Sequence, residues 1–255
     1  MKKILYFAIA MFAVISFSAC SDEDDNGHTS NNPILVRQCI YTNGDDNPTI
    51  YTFEYDNQNR IVRVTNNYNH SETQFSYSGN TVTETLIYTN GGFDTRICQL
   101  NADGYIESIT DYQYPEDLQL YSYKNGYLQE MHASWSNDQW IYNWDNGNLI
   151  SISEPIVWDT RWDKTITYSQ VTAVPININI DYIEECPEFQ FFGFMGKQSK
   201  FLPKKSIQKN ETDTITKTYE YEFNSNGTIS KILITSVGVG ESNNGTEYYS
   251  IELVY

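Results

Sequence analysis

Five tryptophans, Trp135, Trp140, Trp144, Trp158 and Trp162, fall within one window, and the chain has no others. If residues 140–144 are extended, Trp140, Tyr142 and Trp144 share one face, because side chains alternate along a strand. Asp138, Asp145 and Asp159 flank that row. Indole and phenol rings stack on the apolar faces of sugars while neighbouring carboxylates take the hydroxyl groups. The five tryptophans and Tyr142 are therefore the candidate ligand-binding residues. The plainer alternative is that these rings fill the widest part of a core.

Signals for bond-breaking chemistry are thinner. Glycoside hydrolysis needs two facing carboxylates, and the run Glu184-Glu185-Cys186-Pro187-Glu188 is the best place to look for them, although such a run also reads as a solvated charge cluster. His28, His70 and His132 are scattered, and no glycine-rich loop opens a helix; neither arrangement builds a triad or a phosphate cradle. Cys39, Cys98 and Cys186 lack metal-ligand spacing and read as small buried apolar residues. Asp145-Asn146-Gly147 is a turn phrase before it is a calcium loop. No cofactor, metal or catalytic residue is implied. Non-enzymatic binding of a glycan or a partner protein is the leading reading, with a hydrolase using paired carboxylates as the alternative.

The elements that must position these residues form a repeat. The phrases TFEYDNQNRIVRV, QFSYSGNTVTET, ICQLNADGYIESI, LYSYKNGYLQEM, IYNWDNGNLISI and YEFNSNGTISKI each read as an alternating strand, a polar turn and a second alternating strand. Asn59, Gly79, Gly104, Gly126 and Gly147 recur every 20 to 25 positions within them. Asn and Gly accept the positive φ of tight hairpins, and strands joined this way neighbour one another antiparallel. The expected fold is all-β, an antiparallel up-and-down meander of repeated hairpins that twist curls into a barrel or half-barrel. Residues 173–206 break the rhythm with three of the seven prolines and no hairpin turn. They predict one short helical or irregular insert: either a short helix or plug near Tyr182 to Phe194 that covers an open end, or a long connection packed on the rim.

The N-terminus gives an address. Lys2 and Lys3 precede an apolar run from Ile4 to Ala19 that is short for a membrane span and ends at Cys20, the pattern of a secretory leader. The expected organisation is a lipoprotein signal peptide over 1–19, a lipidated Cys20 with an acidic flexible tether over 20–33, and a single β domain over 34–255. Losing the leader removes two of 16 Lys and Arg and none of 33 Asp and Glu, leaving a net charge of −19. So acidic a body excludes nucleic acid as a partner and leaves the N-terminal acyl chains as the route to a membrane.

Several of these residues also carry a resemblance. Phe17-Ser18-Ala19-Cys20 resembles a lipobox, with Phe17 where Leu is usual, and Ser21-Asp22-Glu23-Asp24-Asp25 resembles the export signal of Bacteroidetes lipoproteins. Tyr55-Asp56-Asn57 through Arg60-Ile61 resembles YD-type repeats, and Phe192-Gly193-Phe194 through Leu202-Pro203 resembles a segment of small gut Bacteroidetes lipoproteins. Those proteins form a family known as domain of unknown function 4595. The resemblance implies a porin-like β fold and a lipid-anchored outer-membrane location facing the exterior. It carries over no catalytic residue. The last phrase, Tyr249 to Tyr255, resembles the closing strand of outer-membrane barrels, so an integral barrel is the rival reading. Against it, lipid-facing strands need a clean apolar band about 25 Å tall, and Glu54, Arg63, Thr83, Glu84 and Lys231 read as outward-facing.

Overall fold

The fold begins with its turns. In a computed structural model describing residues 34–255, apart from 45, 137, 158–159, 173–174, 186–191 and 243, Asn125 and Gly126 have φ of 55° and 81°, and Asn146 and Gly147 have 49° and 77°. Two successive positive φ values make the two-residue hairpin whose twist matches that of its strands. Short turns of two or five residues join β2 (Thr49–Tyr55) to β3 (Ile61–Asn66), β4 (Glu72–Ser78) to β5 (Thr81–Ile87), and β6 (Phe93–Leu100) to β7 (Ile106–Asp111). They also join β8 (Leu118–Lys124) to β9 (Tyr127–Ala133), β10 (Gln139–Asp145) to β11 (Asn148–Val157), and β14 (Thr214–Phe223) to β15 (Ile229–Val239). All lie at one end of the molecule, the hairpin end. Connections at the opposite, loop end link the remaining neighbours, including β1 (Gln38–Asn43) to β2 and β15 to β16 (Gly245–Val254).

Sixteen strands in sequence order form a closed antiparallel barrel, sealed by β1 against β16 with Cys39 opposite Leu253 and Tyr41 opposite Ile251. Closure leaves no edge strand to template aggregation. The meander is thus a complete barrel rather than a half-barrel. The insert joins β12 (Thr160–Tyr168) to β13 (Pro203–Lys209), and its described residues include a 3-10 turn, Ile180–Glu185.

Alternation decides what faces the lumen. On β4, Thr73, Phe75 and Tyr77 turn inward while Glu72, Gln74, Ser76 and Ser78 turn outward. Phe53, Val64, Val82, Cys98, Ile109, Met131, Ile232 and Ile251 continue the inner lining, all at most 8% exposed. The insert enters this lining from the hairpin end. Ile176, Ile178, Ile180, Ile183 and Met195 join the same core, and Phe192 packs edge-on against Phe53 and Phe75 at 5.6 and 5.8 Å. Lys197 and Lys200 donate their backbone N–H groups to the carbonyls of Gly126 and Gly147, hooking the insert onto two hairpin tips. Burying apolar surface on this plug, at roughly 25 cal/mol per Å², is what fills a lumen too wide for wall side chains alone.

A second repeat runs round the hairpin end. The last inward residue of nearly every even strand is aromatic and donates a hydrogen bond to a main-chain carbonyl near the start of the preceding strand. Tyr77 reaches Ile61, Tyr123 reaches Ile106, Tyr168 reaches Leu149 and Tyr255 reaches Ile229, each at 2.7 Å. Tyr55 reaches Val36, Tyr221 reaches Pro203, and Trp144 reaches Leu128 through Nε1, at 2.6 to 2.8 Å. These strand pairs are joined covalently only at the far end, so turns and aromatic staples alternate round the circumference. The Tyr of Tyr55-Asp56 is such a staple, which gives the YD-like phrase a physical meaning.

Candidate ligand site at the loop end of the barrel

The plug occupies the hairpin half of the lumen, and the loop half is lined differently. Tyr41, Tyr51, Trp140, Trp162, Lys164, Lys217 and Tyr249 point inward and are half-buried, while Asn43, Asp94 and Glu247 point inward and are exposed. Inward side chains that still meet solvent define a mouth. Tyr41 and Tyr249 stack across the β1–β16 seam at 5.9 Å. Opposite them, the registers Ile141 to Ser153 and Ser153 to Asp163 set Trp140, Glu154 and Trp162 side by side on the inner faces of β10, β11 and β12. Two strand spacings separate the indoles by about 10 Å.

The floor of the mouth is electrostatic. Glu184, on the plug, accepts a hydrogen bond from the Tyr219 hydroxyl at 2.7 Å and an ion pair from Lys217. Burial pushes its carboxyl up, but Lys217, Lys164 and those hydrogen bonds outweigh burial and hold it below the ordinary glutamate range. Burial and the Glu184 charge push the Tyr219 hydroxyl up, and burial with Glu184 and Glu247 pushes Tyr41 up to about 12. Both oxygens of Glu184 are thus engaged and its proton is held off, which suits a latch between plug and wall rather than a general acid. Asp181 lies below it, its carboxyl raised by burial against the opposing hydrogen bonds from Ser199 and Tyr168. A cavity of about 140 Å³ beside Asp181, Ile180, Ser199 and Leu202 has room for a few waters but not for a saccharide.

The tryptophan window divides. Trp140 and Trp162 line the mouth, and Trp135, 52% exposed, stands on the β9–β10 connection at its rim. Tyr142, 6% exposed, belongs to the core, and Trp144 is a staple whose ring also lies 4.7 Å from Tyr127. The row read as a single platform therefore runs down into the barrel, and only its loop-end part meets solvent. Trp158 lies outside the described residues, as do Cys20, the leader, the tether, Cys186 and Glu188. A second reading is corrected at Glu84. Its register opposite Arg96 turns it inward with Val82, where it is 4% exposed and pairs with Arg96. The longer-range residues of the mouth, Lys164, Lys217, Tyr219 and Tyr249, escaped sequence reading because strand pairing across the insert from β12 to β14, entry of the plug and the β1–β16 seam all take part in assembling them.

Outside, the wall is mixed: Leu120, Ile141, Leu233 and Val254 are exposed there among polar and charged residues. Arg63 bridges Glu54 and Glu72 at 3.0 and 2.6 Å across three strands, and Lys231 pairs with Glu252 at 2.7 Å. Thr81, Thr83 and Thr85 fill the outer face of β5, and Thr214, Thr216 and Thr218 that of β14. The rim adds exposed rings at Tyr68, Phe93, Tyr112, Tyr114 and Trp135, 52 to 80% exposed.

No protein-family model matches the sequence, and no curated protein matches it. The barrel is similar to solved structures that include two porin-like proteins. One is a porin-like protein from Bacteroides uniformis, at a TM-score of 0.63 and 13% identity over 86% of this chain and 97% of that one. The other is a porin-like protein from Bacteroides vulgatus, at a TM-score of 0.55 and 14% identity over 87% and 98%. The resemblance drawn from the YD-like phrases holds at the level of a porin-like β fold.

Proposed function

We propose that this chain is a lipid-tethered, non-enzymatic binding protein whose barrel stands outside the bilayer and takes a glycan in the mouth at its loop end. The observation that carries the reading is the placement of Trp140, Glu154 and Trp162 side by side on the one part of the inner wall that meets solvent. Two indoles about two strand spacings apart, with Trp135 above them, offer stacking faces, and Glu154, Gln208 and Lys164 supply polar edges. Tethering rather than embedding is supported by the wall. Ion pairs and threonines interrupt the apolar residues of the face that would meet lipid, where each charged side chain at mid-depth costs about 2 to 4 kcal/mol. The tether itself is Cys20 and the acidic segment behind it, and the proposed location is the outer membrane with the barrel facing the exterior.

Titrating the purified protein with a panel of neutral oligosaccharides while following tryptophan fluorescence tests the reading. Binding by at least one class, weakened about tenfold or more by Trp140→Ala or Trp162→Ala and untouched by Trp144→Phe, is the expected result; a single good contact of about 1.4 kcal/mol corresponds to that factor. A hydrolase reading predicts released sugar on prolonged incubation, which this proposal does not.

A further inference from the structure

The rim has a chemistry of its own. The eight connections at the loop end contain nine Asp and Glu, namely 45, 46, 116, 117, 138, 159, 211, 213 and 241, and no Lys or Arg. On two consecutive connections, β7–β8 and β9–β10, this acidity coincides with exposed rings, and the adjoining β5–β6 turn, which has no acidic residue of its own, adds two more. Tyr88 and Phe93 are 39 and 62% exposed, Tyr112 and Tyr114 are 68 and 56%, and Trp135 is 52%. Large rings left open in a contiguous arc mark an interaction surface. At the hairpin end, by contrast, the protein's own cations cover rings: Arg60 sits 4.2 Å over Tyr77, and Lys197 sits 5.6 Å from Tyr127. Among the described residues no cation–ring contact falls on the arc.

We infer that this arc docks an extended Lys/Arg-rich segment of a partner protein. Charge selects the occupant. A cation over an indole or phenol face gains from the ring quadrupole, and Glu116, Asp117 and Asp138 hold the field that steers it there. Size selects a polypeptide over a small cation. Five strand spacings from β5 to β10 cover about 24 Å, which about eight extended residues span. The arc meets the mouth only at Trp135, so the inference stands apart from the Trp140 and Trp162 pair that carries the saccharide reading.

The test uses the full-length chain in non-ionic detergent and a fluorescent twelve-residue peptide of alternating Lys and Gly, followed by anisotropy. Binding is expected, and raising salt from about 50 to about 300 mM weakens it about tenfold as charges are screened. Two triple variants with the same net charge separate a built surface from general acidity. Glu116→Gln with Asp117→Asn and Asp138→Asn should weaken binding about tenfold, whereas Asp103→Asn with Glu107→Gln and Asp145→Asn, at the hairpin end, should change it less than about twofold. Tyr112→Ser with Tyr114→Ser, which leaves charge unchanged, should cost about fivefold or more. Thermal melts confirm that these exposed positions leave the fold intact. Equal weakening by the two charge variants, no effect of the ring variant, or no binding at low salt would each overturn the inference. Loss of peptide binding with saccharide binding retained would show that the two surfaces are separate.

Discussion

Replacing Tyr123 by Phe removes one hydroxyl and nothing else, so it isolates the staple. That hydroxyl donates to the carbonyl of Ile106 at 2.7 Å, and Ile106 is 0% exposed. The variant leaves the carbonyl facing a ring edge with no water to replace the lost donor. An unsatisfied buried polar group costs about 1 to 3 kcal/mol, and about 1.5 kcal/mol in a domain of this size lowers Tm by roughly 3 to 6 °C. Tyr77→Phe and Tyr221→Phe sit in the same geometry on distant hairpins and should cost as much, with the double variant close to the sum. Tyr114→Phe, on an exposed ring, should stay within about 0.5 kcal/mol of the parent. Urea melts at constant m give the differences directly. If Tyr123→Phe and Tyr77→Phe melt with the parent, the hydroxyls do not staple the strands, and the repeated aromatic is only a packing residue.

Gly196→Ala should loosen the plug. Gly196 has φ of +92°, and an added Cβ would meet the Gly126 carbonyl oxygen at 2.5 Å. A loss of more than about 2 kcal/mol, with faster proteolysis between β12 and β13, is expected. Glu184 gives a pH dependence whose sign is fixed. Its folded pKa lies below the ordinary value of 4.5, so its contribution to stability is complete above that value and is lost as pH falls through the folded pKa. Lys217→Met should therefore cost about 1 to 2 kcal/mol at neutral pH, a figure discounted for the partial exposure of both groups. The gap to the parent should narrow as pH drops below 4.5, measured by urea melts at each pH.

Much of this architecture was legible in the chain, because hairpin turns have local chemistry. Asn59, Gly79, Gly104, Gly126 and Gly147 announce reversals every 20 to 25 positions, and all five take positive φ. Period-two alternation likewise gave each strand two faces. What it could not give was depth. Trp140 and Trp144 share a face, yet one opens on the mouth and the other ends at a carbonyl near the hairpin tips, and that difference comes from strand stagger in a closed barrel. Glu84 shows the same limit. A carboxylate reads as outward until a partner twelve residues away, Arg96, is known to lie beside it across the ladder. The insert stood out as a break in rhythm, but its apolar residues alone did not reveal that it enters the lumen. The mouth was the least legible feature, because Tyr41, Trp140, Lys164, Glu184 and Tyr219 come from five separate elements that share one space only in the assembled, plugged barrel.

The most direct test is the behaviour of the barrel without its anchor. Residues 32–255, produced without leader or lipid, should remain in the aqueous phase on detergent phase partition and sediment as a single species in detergent-free buffer, because the face a bilayer would touch carries Arg63, Glu54, Glu72, Lys231 and Glu252. Far-ultraviolet circular dichroism should show the β signal of the folded barrel. Recovery of a folded body in the detergent-rich phase, or its precipitation unless detergent is present, would contradict a tethered barrel and favour one that spans the membrane.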